Sequence, residues 1–370
     1  MPFLIALLTA LAAPQDSYLL RVDHALHLCA QDIPAMREPA ETAARKLAGG
    51  GNFWAAGQPS WVSEITGRAG GFMMLKPLRD KIPADTDVVL YAPDGLAQPD
   101  FGSAYVISFG KKDSAEGVCV YNHAGEAEIS HTLANAIPAW IFTGELVAAL
   151  TRLTKMPVMY ESIGAYGGNS RIQQYKNGEI AWHDSNIPPP VPHGLLGKRF
   201  VGTISAMLRR VEAGQRPNLE KAGRWAREAK AAGREVYMYS MGHLFPGEVE
   251  KTEIGTMFKS AVWNAGFRNS PPPDHAYGKG DFAVHVGYQH PPSLMLERIT
   301  RAGGKAAYMS VLWDRDYAAN PNVAYIDPMW DWADACVTLE GYDIPILPAS
   351  GILHGAIAWE IYRLSTGGTI

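Results

Sequence analysis

Short apolar runs alternate with amphipathic ones along this chain. From Ser17, "SYLLRVDHALHLCAQDI" places Leu19, Val22, Leu26 and Cys29 on one face at helical spacing, and "ETAARKLAGGG" ends a helical lead-in at Gly49 to Gly51. "NFWAAGQPSWVSEITGRAGG" then reads as a short apolar strand, a Gly-Gln-Pro-Ser turn and a helix. Further apolar runs at "DVVLYAP", "SAYVISFG" and "GVCVYNHAG" predict strands, and "IPAWIFTGELVAALTRL" predicts a closing helix near residue 153. Strands alternating with helices imply a mostly parallel sheet.

The second half repeats this plan. "VGTISAMLRRVEAG" and "NLEKAGRWAREAKAAG" read as two helices, and "EVYMYSMGHLFPGEV" as a strand opening into a loop at Gly242. Strands are expected near residues 235–240, 282–287, 306–311 and 335–339 of one parallel sheet. "NFWAAGQPSWVSEITG" matches "EVYMYSMGHLFPGEVEKTEIG" in plan, and "NAIPAWIFTGELVAAL" resembles "YDIPILPASGILHGAIAWEIYRL", so a period of about 190 residues points to duplication of one α/β domain. Between the halves the chain is rich in Gly, Asn and Pro, and Pro188-Pro189-Pro190 favours extended backbone. The expected organisation is an N-terminal domain over residues 16–155, a connector over 156–197 and a C-terminal domain over 198–370. The uncharged run Phe3 to Ala13, with Ala10-Leu11-Ala12 as a small-x-small site, predicts a signal peptide at residues 1–13 and an exported, periplasmic chain; a buried first helix and a cytoplasmic chain are the alternative. The run is too short to span a bilayer, so no membrane partner is expected of the mature form.

Composition narrows the functional classes. The 370 residues carry a formal net charge of −4, which offers no basic field for nucleic acid. The three cysteines, Cys29, Cys119 and Cys336, lie far apart with no zinc-ligand spacing, and are expected to pack as small hydrophobes. Asp314, Asp316, Asp327 and Asp331 lack the D-x-D-x-D-G spacing of a calcium loop. GxGxxG after the first strand of either half, GxxxxGK[ST] and GxSxG are all absent, so no cofactor is expected.

In an open parallel sheet, ligands collect outside the carboxyl ends of the strands. The residues at those ends supply the candidates: Ser60 and Ser240 where the first strand of each half meets its loop, Ser114 in "SFGKKDS", and His243, Gly287, His290 and Ser293 in the second half. The loop Gly287 to Ser293, at the start of a helix running to about Arg301, is expected to hold the polar end of the ligand, with the second half carrying the better site. Trp313, Trp330 and Trp332 surround "DRDYAANPNVAYIDPMWDW", read as a packed insertion with a ligand-stacking lid as the alternative.

The order of a helical lead-in, "GREVYMYSMGH", "GDFAVHVGYQHPPSLMLERITRAGGKAAYMSV", "WADACVTL" and a closing helix resembles the sugar isomerase (SIS) family of phosphosugar-binding domains. Arg301 to Ala306 and Trp332 to Ala335 match that family's "ak..Ga.vi.it" and "aD..i" elements. The resemblance extends over residues 200–366 and, more loosely, 20–153, and implies two SIS-like, doubly wound, flavodoxin-like α/β domains in tandem. It departs where the family sets a hydroxyl cluster near S-x-S-G-x-T, since "GYQHPPS" and "SFGKKDS" offer only Ser293 and Ser114. The implied partner is a sugar or sugar phosphate, with a homodimer left open. The implied reaction is aldose-ketose isomerisation, with Glu248 as base and His290 and His354 assisting ring opening; Glu250 is a second candidate base and Glu360 is read as a surface residue. A non-catalytic exported sugar-binding or sensor protein, and a structural dimerisation module, are the alternatives.

Overall fold

The computed structural model describes residues 17–95, 98–110, 118–121, 123–164, 167–180, 185–240, 242–262 and 276–368. The first half runs α1 (Tyr18–Ala30), α2 (Arg37–Ala48), β1 (Phe53–Gly57), α3 (Pro59–Ile65), β2 (Leu75–Pro77), β3 (Val88–Ala92), β4 (Tyr105–Gly110), β5 (Val118–Tyr121) and α4 (His131–Arg152). After α5 (Gly168–Lys176), the long α6 (Leu195–Ala231) leads into β6 (Val236–Ser240), α7 (Gly247–Glu250), α8 (Ile254–Met257), β7 (Lys259–Val262), β8 (Phe282–Val286), α9 (Ser293–Arg301), β9 (Lys305–Met309), α10 (Arg315–Ala318) and β10 (Val323–Ile326). β11 (Ala335–Val337), β12 (Ile346–Pro348) and α11 (Ser350–Ser365) complete the chain.

Both large sheets are parallel and share one strand order. The first is β2-β1-β3-β4-β5 and the second, read from its other edge, is β7-β6-β8-β9-β10. This is the flavodoxin-like order, whose direction reverses between the first and third strands of each half, β1/β3 and β6/β8. Strands such as VVLYA in β3 and FAVHV in β8 are buried along their whole length, as parallel strands covered on both faces must be. One continuous core joins the halves: α6 packs against α1, α4 and α11, and the buried residues of both sheets meet these helices.

Two expectations change. The segment expected as two helices is the single α6, which runs through Pro217. Proline removes one amide hydrogen bond, but Ile204, Leu208, Val211, Leu219, Ala222 and Ala226 continue one buried stripe across it, and tertiary burial holds the helix together. The strand expected at 335–339 is β11, which pairs antiparallel with β12 outside the parallel sheet. The sheet edge is taken by β10, cut from the segment read as an aromatic insertion, and β10 pairs parallel with β9. Cys29 is buried and Cys336 partly buried, both unbridged. The apolar α4 is long enough to cross a membrane, yet every residue of its apolar window is buried inside the protein. Residues 1–16 lie outside the described residues, and with them the expected signal peptide.

Candidate functional site

Each sheet has a place where strand order reverses, and the two places are filled differently. In the second half the carboxyl ends of β6 and β8 open onto Gly242, His243, Leu244, Phe245 and Tyr288, and Glu64, Arg68 and His354 close the space from above. The cavity left is about 10 Å³, room for one water at most. Its wall is a buried ionic network. Arg68 Nη1 lies 3.4 Å from Glu64 Oε2 and donates to the Tyr288 hydroxyl (2.8 Å), while Nη2 reaches Asp334 Oδ2 (3.3 Å) and the Ser350 hydroxyl. Asp334 in turn accepts from the Ser350 backbone N–H (2.8 Å) and Oγ–H (2.8 Å), fixing the start of α11. Gly351 is required here, since a Cβ would sit 1.9 Å from Glu64 Oε1. Burial pushes the Glu64 carboxyl up to about 7, against the pull of Arg68.

The histidines at this junction are neutral. Burial, then the Arg68 charge, depresses His243 and His354 to about 3. His243 Nδ1 donates to the Ser63 carbonyl oxygen (3.1 Å), and its backbone is in the left-handed region at φ 59°. The Trp330 indole N–H donates to His354 Nε2 (3.3 Å), which leaves the His354 proton on Nδ1.

In the first half, the ends of β1, β3 and β4 open into a cleft of about 1270 Å³. Gln58, Ser60 and Asp94 line it from the strand-end loops, Ser130 and Thr132 from the start of α4, and α7 and α11 contribute Glu248 and Trp359. Ser130 caps α4 by accepting from the Leu133 N–H (3.3 Å), and Gln58 Nε2 donates to the Thr132 hydroxyl (2.7 Å). Gly247 allows α7 to dock on the other half, since a Cβ there would lie 2.3 Å from Ser60 Oγ.

Glu248 is fully buried at the cleft wall and accepts from the Trp359 indole N–H on Oε1 (2.8 Å). Oε2 closes no hydrogen bond. Burial raises this carboxyl above the ordinary range, and the nearby Ser130, Trp359 and Thr132 donors hold the rise back. Tyr18 stacks on Trp359 (centroids 5.3 Å apart, 11° between planes) and its hydroxyl accepts from the Ser130 N–H (2.7 Å). The arrangement places one carboxyl of raised proton affinity and several hydroxyls at the wall of a volume large enough for a monosaccharide.

The structure therefore distributes the residues singled out in the sequence. Ser60 and Glu248 face one cleft. His243 and His354 line the small cavity instead. Ser240 is buried at the end of β6 with its hydroxyl in no hydrogen bond, and Gly287 leaves room for the His285 ring, whose Cε1 would lie 2.6 Å from a Cβ. His290 and Ser293 stand at the outer rim of the second sheet: His290 is exposed, edge-on to Trp332 (5.3 Å), and Ser293 Oγ donates to Asp314 Oδ2 (2.9 Å). The α9 helix has Pro292 at its cap and no side-chain cap bond. Ser114 lies outside the described residues. The open crevice is in the first half, not the second as expected, because Tyr288 and the inserted Arg68 fill the second. Glu360 is not at the surface either: α1 and α6 enclose α11, and Glu360 is fully buried, accepting from the Tyr18 N–H (2.7 Å), Arg363 Nη2 (2.7 Å) and Arg216 Nη1 (2.5 Å). Gln58, Thr132, Tyr18 and Trp359 escaped the sequence reading. "GQPS" reads only as a turn, and Thr132 lies ahead of the stretch read as the closing helix.

The strand order in both halves and their shared closing helices define an SIS-like fold, two flavodoxin-like α/β domains in tandem. No family model and no curated protein matches the chain. Among solved structures, a proposed phosphosugar isomerase from Clostridium difficile 630 is similar at a TM-score of 0.50 and 8% identity, over 95% of this chain and 93% of that one. The C-terminal domain of glucosamine-fructose-6-phosphate aminotransferase from Francisella tularensis aligns at a TM-score of 0.48 and 12% identity, over 96% of this chain and 98% of that one.

Proposed function

We propose that this chain binds a sugar or sugar derivative in the first-half cleft, with Glu248 as the group that exchanges a proton with it. The observation that carries this reading is a fully buried carboxyl on the wall of a 1270 Å³ cleft, held by Trp359 on one oxygen and left without a hydrogen bond on the other. Burial raises this carboxyl's affinity for a proton, which suits it to exchange one with a ligand held against the same wall. Ser60, Ser130 and Thr132 bring hydroxyls to the same wall. The SIS-like fold of the Clostridium difficile 630 protein, named for phosphosugar isomerisation, supports the same ligand class.

A carboxyl with raised affinity for protons is also suited to carry one between adjacent carbons of an aldose and a ketose. Binding and turnover are separated by one assay. Incubation with aldoses and ketoses in deuterium oxide is expected to incorporate deuterium at carbon 2 of the aldose and carbon 1 of the ketose if Glu248 acts as base, and Glu248→Gln abolishes it. Binding by calorimetry without deuterium incorporation identifies a binding protein. Binding that is unchanged in Glu248→Gln and in Thr132→Val refutes the cleft as the site.

A further inference from the structure

Glu248 meets Trp359 through one hydrogen atom. On the reading of Glu248 given above, we infer that Trp359 is the positioning residue of this site: its indole N–H fixes the carboxyl so that Oε2 is the oxygen that takes up and gives back the proton. Trp359 is buried on α11 and its ring is held on two sides, stacked on Tyr18 (5.3 Å, 11° between planes) and edge-on to Tyr362 (5.7 Å, 90°). Tyr18 is tied in turn to the start of α4, where its hydroxyl accepts from the Ser130 N–H (2.7 Å). The indole N–H so held reaches Glu248 Oε1 at 2.8 Å.

An indole nitrogen donates and does not accept. In a neutral carboxyl the carbonyl oxygen is the better acceptor, so an N–H on Oε1 leaves the proton on Oε2. In the ionised carboxyl the same N–H meets a charged oxygen and forms the stronger bond, which favours the ionised form against the burial that disfavours it. The Ser130 and Thr132 hydroxyls lie near the same carboxyl, and Thr132 Oγ already accepts from Gln58 Nε2 (2.7 Å), which leaves its own proton to donate. Among the described residues, the other titratable groups lining this cleft are Tyr18, Asp94, Glu128, His131, Lys251 and Glu253. Glu64 stands near the end of α3, which packs on α7, and Glu360, beside Trp359, is paired with Arg216 and Arg363. A change at Trp359 alone leaves all of these groups in place.

The test is an infrared titration of the intact chain with no sugar present, following the carboxyl C=O band that Glu248→Gln removes. Glu64 contributes equally to both spectra and drops out of the difference. Trp359→Phe keeps an aromatic ring against Tyr18 without the N–H, and Trp359→benzothienylalanine keeps the full ring shape with sulfur in place of the N–H, so the second variant decides if the first folds poorly. In both, the midpoint of the Glu248 band is expected to rise, and the ionised fraction at a pH below it to fall roughly tenfold or more, the weight of a hydrogen bond to a charged group. The pH profile of deuterium incorporation should move to higher pH with it, with sugar affinity unchanged. A lowered Tm with an unmoved midpoint in the benzothienylalanine variant makes Trp359 a packing residue only and overturns the inference, leaving the reading of Glu248 in place. A parent chain in which Glu248→Gln removes no band at any pH also overturns it. A raised midpoint in a chain that binds none of the sugars supports the role of Trp359 and refutes the reading of the cleft.

Discussion

Replacing Glu64 by glutamine tests the physical account of the junction between the halves. Burial holds the Glu64 carboxyl near 7, against an ordinary value of 4.5, so between those limits the folded chain binds a proton here that the unfolded chain has released. A folded state that binds more protons loses stability as pH rises. Glu64 therefore contributes most below about pH 4.5, and that contribution is gone above about pH 7. The raised value corresponds to roughly 3 kcal/mol, on the order of 4 °C in Tm if the whole chain unfolds together. The glutamine side chain has the same shape and still accepts from the Trp140 indole N–H, which lies 3.4 Å from Oε1. Its –NH2 group facing Arg68 shifts stability equally at every pH and leaves the slope untouched. The quantity to read is the difference between parent and variant in thermal unfolding from pH 4.5 to 8, because His243 and His354 act oppositely. Their folded values near 3 lie below the unfolded 6.5, so both lose stability as pH falls. The variant should gain on the parent by about 3 kcal/mol across this range. Parallel curves would refute the claim that Glu64 is protonated in the folded chain at acid pH.

Two further outcomes follow from the same geometry. Arg68→Met leaves Glu64 and Asp334 buried without their guanidinium and should cost about 3–5 kcal/mol, more at pH 8 than at pH 5, read by urea or thermal unfolding. Ser293→Ala removes one exposed hydrogen bond to Asp314 and should change stability by less than about 0.5 kcal/mol while leaving sugar binding intact; a large loss of binding would move the site to the second-half loop.

Much of the fold was legible because it is written in local patterns. The apolar runs at 53–57, 88–92, 105–110 and 282–286 are strands of the two parallel sheets, and the repeated plan corresponds to the shared strand order. β10 was missed because NVAYI is short and lies between Pro321 and Pro328, which read as loop, whereas ACV in β11 looked like the next strand and was diverted into a hairpin with β12. The stretches before and after Pro217 read as two helices, and only the packing of the stripe on either side of it shows why α6 continues. Arg68 lies in "GRAGG", a stretch with the signature of a loop, and nothing local marks it as fully buried. Its partners Tyr288, Asp334 and Ser350 are more than 200 residues away, so the network exists only once the halves meet.

The same limit explains why sequence symmetry does not show which mouth is open. Duplication predicts two equivalent mouths, and the strand orders are indeed equivalent. What separates them is the bulk that follows each strand. β1 and β3 are succeeded by Gln58, Pro59, Pro93 and Asp94, which stay at the edges and leave a cleft. β6 and β8 are succeeded by His243, Leu244 and Tyr288, and the other half inserts Arg68 among them, so the equivalent space shrinks to about 10 Å³. Glu248 illustrates the consequence. It belongs to the second half by sequence, but α7 carries it across the junction into the first-half cleft, where Trp359, Ser60 and Thr132 surround it, drawn from elements between 111 and 188 residues away in the chain. Which of two duplicated mouths stays open is thus decided by side-chain volume and by what the partner half inserts, and neither is a local property of the sequence.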